Sequence, residues 1–338
     1  MDLEKIVLNL CEKIGVSGIE SGAVAYAKSV LDEIGETRIL PLGSLVCTIN
    51  PPKEGGKHIM LDAHIDEIGM IVTSIDEKGF LKVASCGGID RRLLLAAPLT
   101  VHGKEDIMGV VCSMPPHLQE GEAKNLKVDE IAVDIGFSKE QGEKIVSIGD
   151  RVTINSKAHV LLNDLISSKS LDDRAGCAAV IYAGYLIKKQ NPNIGVTLCL
   201  STMEEVGGQG AKTAAFDINP THAIAVDVSF AHTPDAKVEK CGKLFGGPMV
   251  GVSPILNKEM SEKLMEIAKA ENIPYQIEAM GGKTSTNADE IAITRGGVIT
   301  GLLSIPQRYM HTPIETASLS DIENTGKLMA EYVKTICD

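Results

Sequence analysis

Two adjacent carboxylates, Glu204 and Glu205, stand where an apolar, β-rich run ends and a glycine-rich turn leads into a helix, within VTLCLSTMEEVGGQG (196–210). Neighbouring residues leaving a strand point in different directions, so this pair can offer one carboxylate to a metal ion and the other to a proton. Taken alone, the pair reads equally well as a solvated acidic loop. Further candidates stand at the ends of other apolar runs: His64 after HIMLDA, Asp172 at the head of DDRAG, Asp227 after 222–226, and His311 in QRYMHTP. Together with Glu205 these are five candidate metal ligands. Imidazole nitrogen and carboxylate oxygen jointly suit hard and borderline divalent ions, and one carboxylate can bridge two of them. Each residue has an ordinary alternative: a core histidine, a helix N-cap, a turn aspartate, a surface histidine before Pro313. Their recurrence at several element ends in one domain favours a site.

The elements that must position them fall into three stretches. Apolar residues at helical spacing predict two opening helices, through Leu3, Ile6, Val7, Leu10 and Ile14 and then Val24, Ala27, Val30, Leu31 and Ile34. Extended segments over 37–50 follow, with a break near Gly43, then a buried strand over 58–63 that delivers His64 and, two residues on, Asp66. From Ile68 the texture changes to short β-like runs at 71–75, 80–85, 99–103, 107–113, 131–135 and 151–154, which predict a small barrel or sandwich. One helix over 138–146 interrupts them, with Ser138 and Gln141 spaced as a capping box. After about Ser168 strands and helices alternate again: helix 173–190, strand 196–203, helix 209–215, strand 222–226, helix 260–271, strand-like 275–279 and 298–303, and a closing helix 319–336. The expected fold is α/β with a sheet covered on both faces, formed by 1–67 and 161–338, and a β-rich insertion over 68–160.

Composition narrows the function. The 33 basic and 45 acidic residues give a net charge of −12 with no basic run, which argues against nucleic-acid binding. The amphipathic start reads as no signal peptide, and no apolar stretch reaches membrane-span length. Eight scattered cysteines with no CxxC pair read as buried thiols in a reducing cytoplasm. Trp is absent and aromatics make up 3%, leaving little for a sugar-stacking platform.

The segments LDAHIDEIGMIV, SMPPH, SKSLDDRAG, STMEEVGGQGA, AVDVSFAHTPD and SIPQRYMHTPIE occur in this order along nearly the whole chain. In them the chain resembles the tetrahedral aminopeptidases, the dinuclear metallopeptidase family that includes glutamyl and deblocking aminopeptidases. The resemblance implies a three-layer αβα metallopeptidase domain with an inserted β-barrel dimerisation domain. It implies two divalent ions, zinc or cobalt, with Asp172 bridging them, His64 and Asp227 completing one, and Glu205 and His311 completing the other. Asp66 would hold the His64 imidazole by its second nitrogen, and Glu204 would be the general base acting on a water held between the ions. The family removes single residues from the amino end of peptides, and its insertion pairs subunits that assemble into a tetrahedral dodecamer. Some relatives carry an endoglucanase name, so a glycosidase is the first rival and a non-catalytic assembly-forming relative the second. Glycosidases need two carboxylates flanking a bond and no metal pair, and no ligand or base is missing here. The chain departs from the family at Asn287, where an acid is expected, and at Gln307, where an apolar residue is common. Those departures, with Lys283 and Arg308 as cations able to meet an acidic group, bear on which amino-terminal residue is preferred.

Overall fold

The computed structural model of the chain describes residues 1–118 and 127–337. Four strands lie parallel, in the spatial order Gly195–Ser201, His58–His64, His222–Phe230 and Ile299–Arg308. Every residue of the first two is buried, which is why both read as continuous apolar runs rather than alternating ones. Antiparallel strands extend the sheet. Leu45–Asn50 and Glu36–Ile39 lie on one side, and Glu315–Ser318, Leu165–Ser168 and His159–Val160 on the other, while Met249–Val252 and Gln276–Ala279 branch from Ile299–Arg308.

The two-residue period of the central strand divides its side chains between two cores. Ile59, Leu61 and Ala63 join the core that receives the helices Leu3–Glu12, Ser21–Leu31, Leu171–Gln190, Lys258–Ala270 and Leu319–Thr335. Met60 joins the core with Ala211, Ala214, Ala288 and Ile291 from helices Gln209–Ile218 and Asn287–Ala292. The result is a three-layer αβα domain.

The insertion is a closed six-stranded barrel, Gly69–Ile75, Leu81–Cys86, Val133–Asp134, Asp106–Val111, Pro98–His102 and Arg151–Ile154 around the ring, filled by residues such as Met70, Val72, Leu81, Leu99 and Val152. Its helix, Lys139–Ile145, is capped reciprocally by Ser138 and Gln141, as the spacing predicts. Chain return to the large sheet comes with His159–Val160, which pairs with Leu165–Ser168.

Three expectations need correction. Strand His222–Phe230 does not stop at Asp227 but carries it internally, because Val228 and Ser229 continue the pairing with Ile305 and Pro306. The head of Leu171–Gln190 is not helical: Asp172 (ψ 105) and Asp173 (ψ 45) are irregular, and the peptide between them is cis. Only four cysteines, Cys11, Cys47, Cys177 and Cys199, are buried; the other four are partly exposed. The strands Leu165–Ser168, Met249–Val252 and Glu315–Ser318 and helix Asn287–Ala292 were not foreseeable from periodicity, since four to six residues are too few to show it.

Candidate metal centre

The carboxyl ends of the parallel strands share one edge of the sheet, where α/β folds place chemistry. His64 ends its strand in register with Ser201, the last residue of the neighbouring one, so the turn carrying Glu204 and Glu205 leaves beside it. Asp172 reaches the same point from the helix head, Asp227 from the next strand, and His311 from the turn after Ile299–Arg308.

One carboxylate sits between two imidazoles. Asp172 Oδ1 is 3.0 Å from His64 Nε2 and its Oδ2 is 3.2 Å from His311 Nε2, which is also 3.2 Å from Glu205 Oε1. His64 Nε2 further lies 3.9 Å from Asp227 Oδ1 and 4.0 Å from Glu204 Oε2. All five candidate ligands and the candidate base therefore meet. Ser170, Met203, Tyr309 and His311 hold left-handed backbone (φ 60, 60, 60 and 61) immediately around them, a conformation that costs non-glycine residues of order 1 kcal/mol each and is maintained by the surrounding structure.

Three further buried carboxylates face backbone rather than cavity. Asp66 accepts the amides of Glu204 (3.0 Å) and Glu205 (3.2 Å) and the Ser17 hydroxyl (2.7 Å). Asp173 accepts the amides of His64 (3.3 Å) and Gly176 (2.9 Å). Glu315 accepts those of Asp172 (3.0 Å) and His311 (2.8 Å). Asp66 meets the second nitrogen of His64 mainly through its backbone: the imidazole Nδ1 is 3.2 Å from its carbonyl and 3.5 Å from its carboxylate. Sequence reasoning did not assign Asp173 or Glu315, although both lie inside the quoted segments. Gly176 is required next to Asp173, because a Cβ there would fall 2.3 Å from its Oδ1.

The electrostatics call for cations. Burial pulls the His64 imidazole down, yet Asp172 and Asp66 outweigh it and leave its pKa well above normal. His311 is driven to about 11 by Asp172 and Glu205 against the same burial cost. Asp172 is correspondingly depressed, its burial outweighed by His311 and His64. Burial, reinforced by like charge, raises Glu204 to about 7 and Asp227 well above the carboxylate range. Among the described residues no lysine or arginine pairs with Asp172, Asp173, Glu204, Glu205 or Asp227. Ligand atoms of Asp172, Glu205 and His311 lie within 4.8 Å of one another, as do those of His64, Asp173 and Asp227. A donor set of imidazoles and carboxylates with no lysine or arginine partner, at this spacing, fits divalent ions.

The cleft over the centre has a volume of about 480 Å³ and is lined also by Phe230, Met280, Lys283, Ser304, Met310 and Glu278. Asn287 is not part of it: 1% exposed, it donates to Asp62 (2.9 Å) and Ser201 (2.8 Å) beneath the sheet. Gln307 is likewise buried, and Arg308 donates to the His232 carbonyl. A loop of the barrel reaches the centre, since a Cβ on Gly88 would lie 3.0 Å from His311 Nδ1 and one on Gly87 3.0 Å from Glu205 Oε2.

This fold, with imidazoles and acids converging at its strand ends, is that of a hydrolase whose site suits divalent ions. The M42 glutamyl aminopeptidase model matches residues 43–328, and the chain belongs to that family. The lysyl aminopeptidase of Pyrococcus furiosus is 34% identical over 96% of this chain and 94% of its own. An aminopeptidase from the archaeon Desulfurococcus kamchatkensis shares the fold with a TM-score of 0.92 and 32% identity, covering 98% of this chain and 94% of that one. The TET1 peptidase of Pyrococcus horikoshii, which can assemble into a tetrahedron or a large octahedral shell, matches at 0.87 with 28% identity over 98% of both chains. The protein is an aminopeptidase, and its family is one of metallopeptidases. Among the described residues no helix is long and apolar enough to cross a membrane.

Proposed function

We propose that the chain removes single residues from the free amino end of peptides at a dinuclear centre, with Asp172 as bridging ligand, His64 and Asp227 on one ion, Glu205 and His311 on the other, and Glu204 as general base. The placement of Asp172 between the two imidazoles, one oxygen facing each, carries this reading. Asp173 is the weaker alternative to Asp172, since both its oxygens already accept backbone amides. Zinc or cobalt ions, when bound, supply Lewis acidity and make water a nucleophile near neutral pH. Glu204 takes the proton of the attacking water and passes it to the leaving amine, a task suited to a carboxylate lifted towards 7. Asp66 keeps Glu204 and Glu205 in their two orientations by holding both amides. Phe230, Met280 and Met310 give part of the cleft an apolar wall.

Chelation should abolish hydrolysis of a free-amino peptide, and zinc or cobalt should restore it. Metal-independent cleavage, rapid hydrolysis of an amino-acetylated peptide at an internal bond, or release of sugar from cellulose would each reject the reading. We further propose that the barrel pairs subunits, because Met108, Val110, Leu93 and Leu95 leave 42% or more of their surface exposed there. Light scattering should then give a dimer or a larger particle up to a dodecamer, and a stable monomer at micromolar concentration would contradict it. The buried thiols of Cys11, Cys47, Cys177 and Cys199 suit a cytoplasmic setting.

A further inference from the structure

Glu278 is a fifth acid in the cleft, and it takes no part in the proposed centre. It comes from strand Gln276–Ala279 at the branch of the sheet, and each of its carboxylate oxygens accepts a serine hydroxyl. Ser229 donates to Oε1 and Ser304 to Oε2, the latter at 2.6 Å. These serines sit on the two strands that flank the centre, and Ser304 is the register partner of Asp227. Two hydroxyl donors from fixed strands hold the carboxylate in one orientation. Among the described residues it has no cationic partner.

The charges around it make that vacancy informative. Two divalent ions would balance Asp172, Glu204, Glu205 and Asp227, leaving Glu278 as the uncompensated negative group of a partly enclosed cavity. The same cleft is lined by the apolar Val228, Phe230, Met280 and Leu302. An apolar wall ending in an anchored carboxylate matches a side chain with an aliphatic stem and a cationic head. Lys283, the lysine of this lining, is exposed and has no hydrogen bond or ion pair among the described residues, so it lacks the preorganisation that two serines give Glu278.

We propose that Glu278 selects peptides whose amino-terminal residue is basic, by pairing with the lysine or arginine side chain. This rests on the aminopeptidase reading of the cleft. Norleucine has the same four side-chain carbons as lysine and lacks only the terminal ammonium, so the pair isolates the charged head. With the metal-loaded protein, kcat/KM for a lysyl chromogenic substrate should exceed that for the norleucyl one by roughly tenfold to a hundredfold. In Glu278→Gln that ratio should fall to within about threefold, and in Ser304→Ala, which removes one of the two donors, it should fall part of the way. A wild-type ratio near one, a preference for glutamyl substrates, or an unchanged ratio in Glu278→Gln would overturn the proposal. So would equal losses on both substrates, which would mean that Glu278 holds the α-amino group common to them. Calorimetric binding of lysinamide and norleucinamide separates the two levels. If neither chromogenic substrate is cleaved but lysinamide binds more tightly in a Glu278-dependent way, the selectivity stands and the catalytic reading fails. Cleavage of both at equal efficiency has the opposite meaning.

Discussion

The acids around the centre divide into two sets of opposite duty. Asp172, Glu204, Glu205 and Asp227 point at the cleft, where their neighbours are imidazoles and other carboxylates. Asp66, Asp173 and Glu315 point at backbone and accept, between them, the amides of Glu204, Glu205, His64, Gly176, Asp172 and His311. Glu204, Glu205 and Asp227 are costly to ionise without a cation, because desolvation and like charge oppose it, whereas the two imidazoles hold Asp172 ionised. The second set joins the loops that carry the first. Charge alone therefore does not identify a ligand in this molecule; what the oxygens already accept does.

The sharpest way to break this division is Glu204→Gln, which keeps the size and hydrogen-bonding capacity of the side chain and removes the proton acceptor. Turnover should fall by ~10² to 10⁴ while elemental analysis still finds two ions per subunit. Glu205→Gln at matched metal concentration should instead fall towards one ion, with partial rescue by excess metal. A Glu204 variant that loses metal beside a Glu205 variant that keeps both would invert the assignment.

Removing an acid that faces backbone should register in the fold. Asp66→Ala leaves two buried amides and the Ser17 hydroxyl without a charged acceptor, and should cost about 3 to 5 kcal/mol in urea unfolding of the metal-free protein. Asp227→Asn should do the reverse in the same assay, gaining about 1 to 2 kcal/mol at pH 7. It sheds a carboxylate whose ionisation burial opposes, and it keeps an oxygen for the Val228 amide. Destabilisation by both variants would erase the distinction.

Asp62 belongs to neither set. Burial lifts its pKa to about 6 despite the Asn287 donor, and one of its oxygens accepts no hydrogen bond among the described residues. The folded protein therefore holds this proton more tightly than the unfolded chain does. Stability present on the acid side is lost as pH rises from about 4 through about 6, by roughly 2 to 3 kcal/mol. Unfolding of Asp62→Asn across that window should show a correspondingly smaller decline, and an identical pH profile would refute the assignment. The smallest effect expected is at Gly88, where a Cβ would lie 3.0 Å from His311 Nδ1. Gly88→Ala should weaken metal affinity only a few-fold, through His311, with a melting temperature close to that of the parent.

Much of the fold was legible because its signals are local. Continuous apolar runs marked the two buried strands that deliver His64 and Glu204, and helical spacing marked the long helices. Short alternating runs marked the barrel, and motif order marked the family. The five expected ligands, Glu204 and Asp66 all lie at one point of the fold. Other features lay beyond sequence because they depend on which atoms meet across the fold. Nothing in the order DDRAG tells Asp172, which faces two imidazoles, from Asp173, which faces two amides. The glutamate of TPIE gives no sign that it fastens Asp172 and His311, residues 143 and 4 positions away. Asn287 and Gln307, expected near the substrate, are buried and do not line the cleft over the centre, because strand and helix packing decides which face a side chain takes. Residue types and spacing thus pointed to a candidate metal site, and the resemblance of whole segments pointed to the aminopeptidase family. Tertiary structure decided which carboxylates remain unsatisfied at its centre, since burial and hydrogen bonding assign each acid its role.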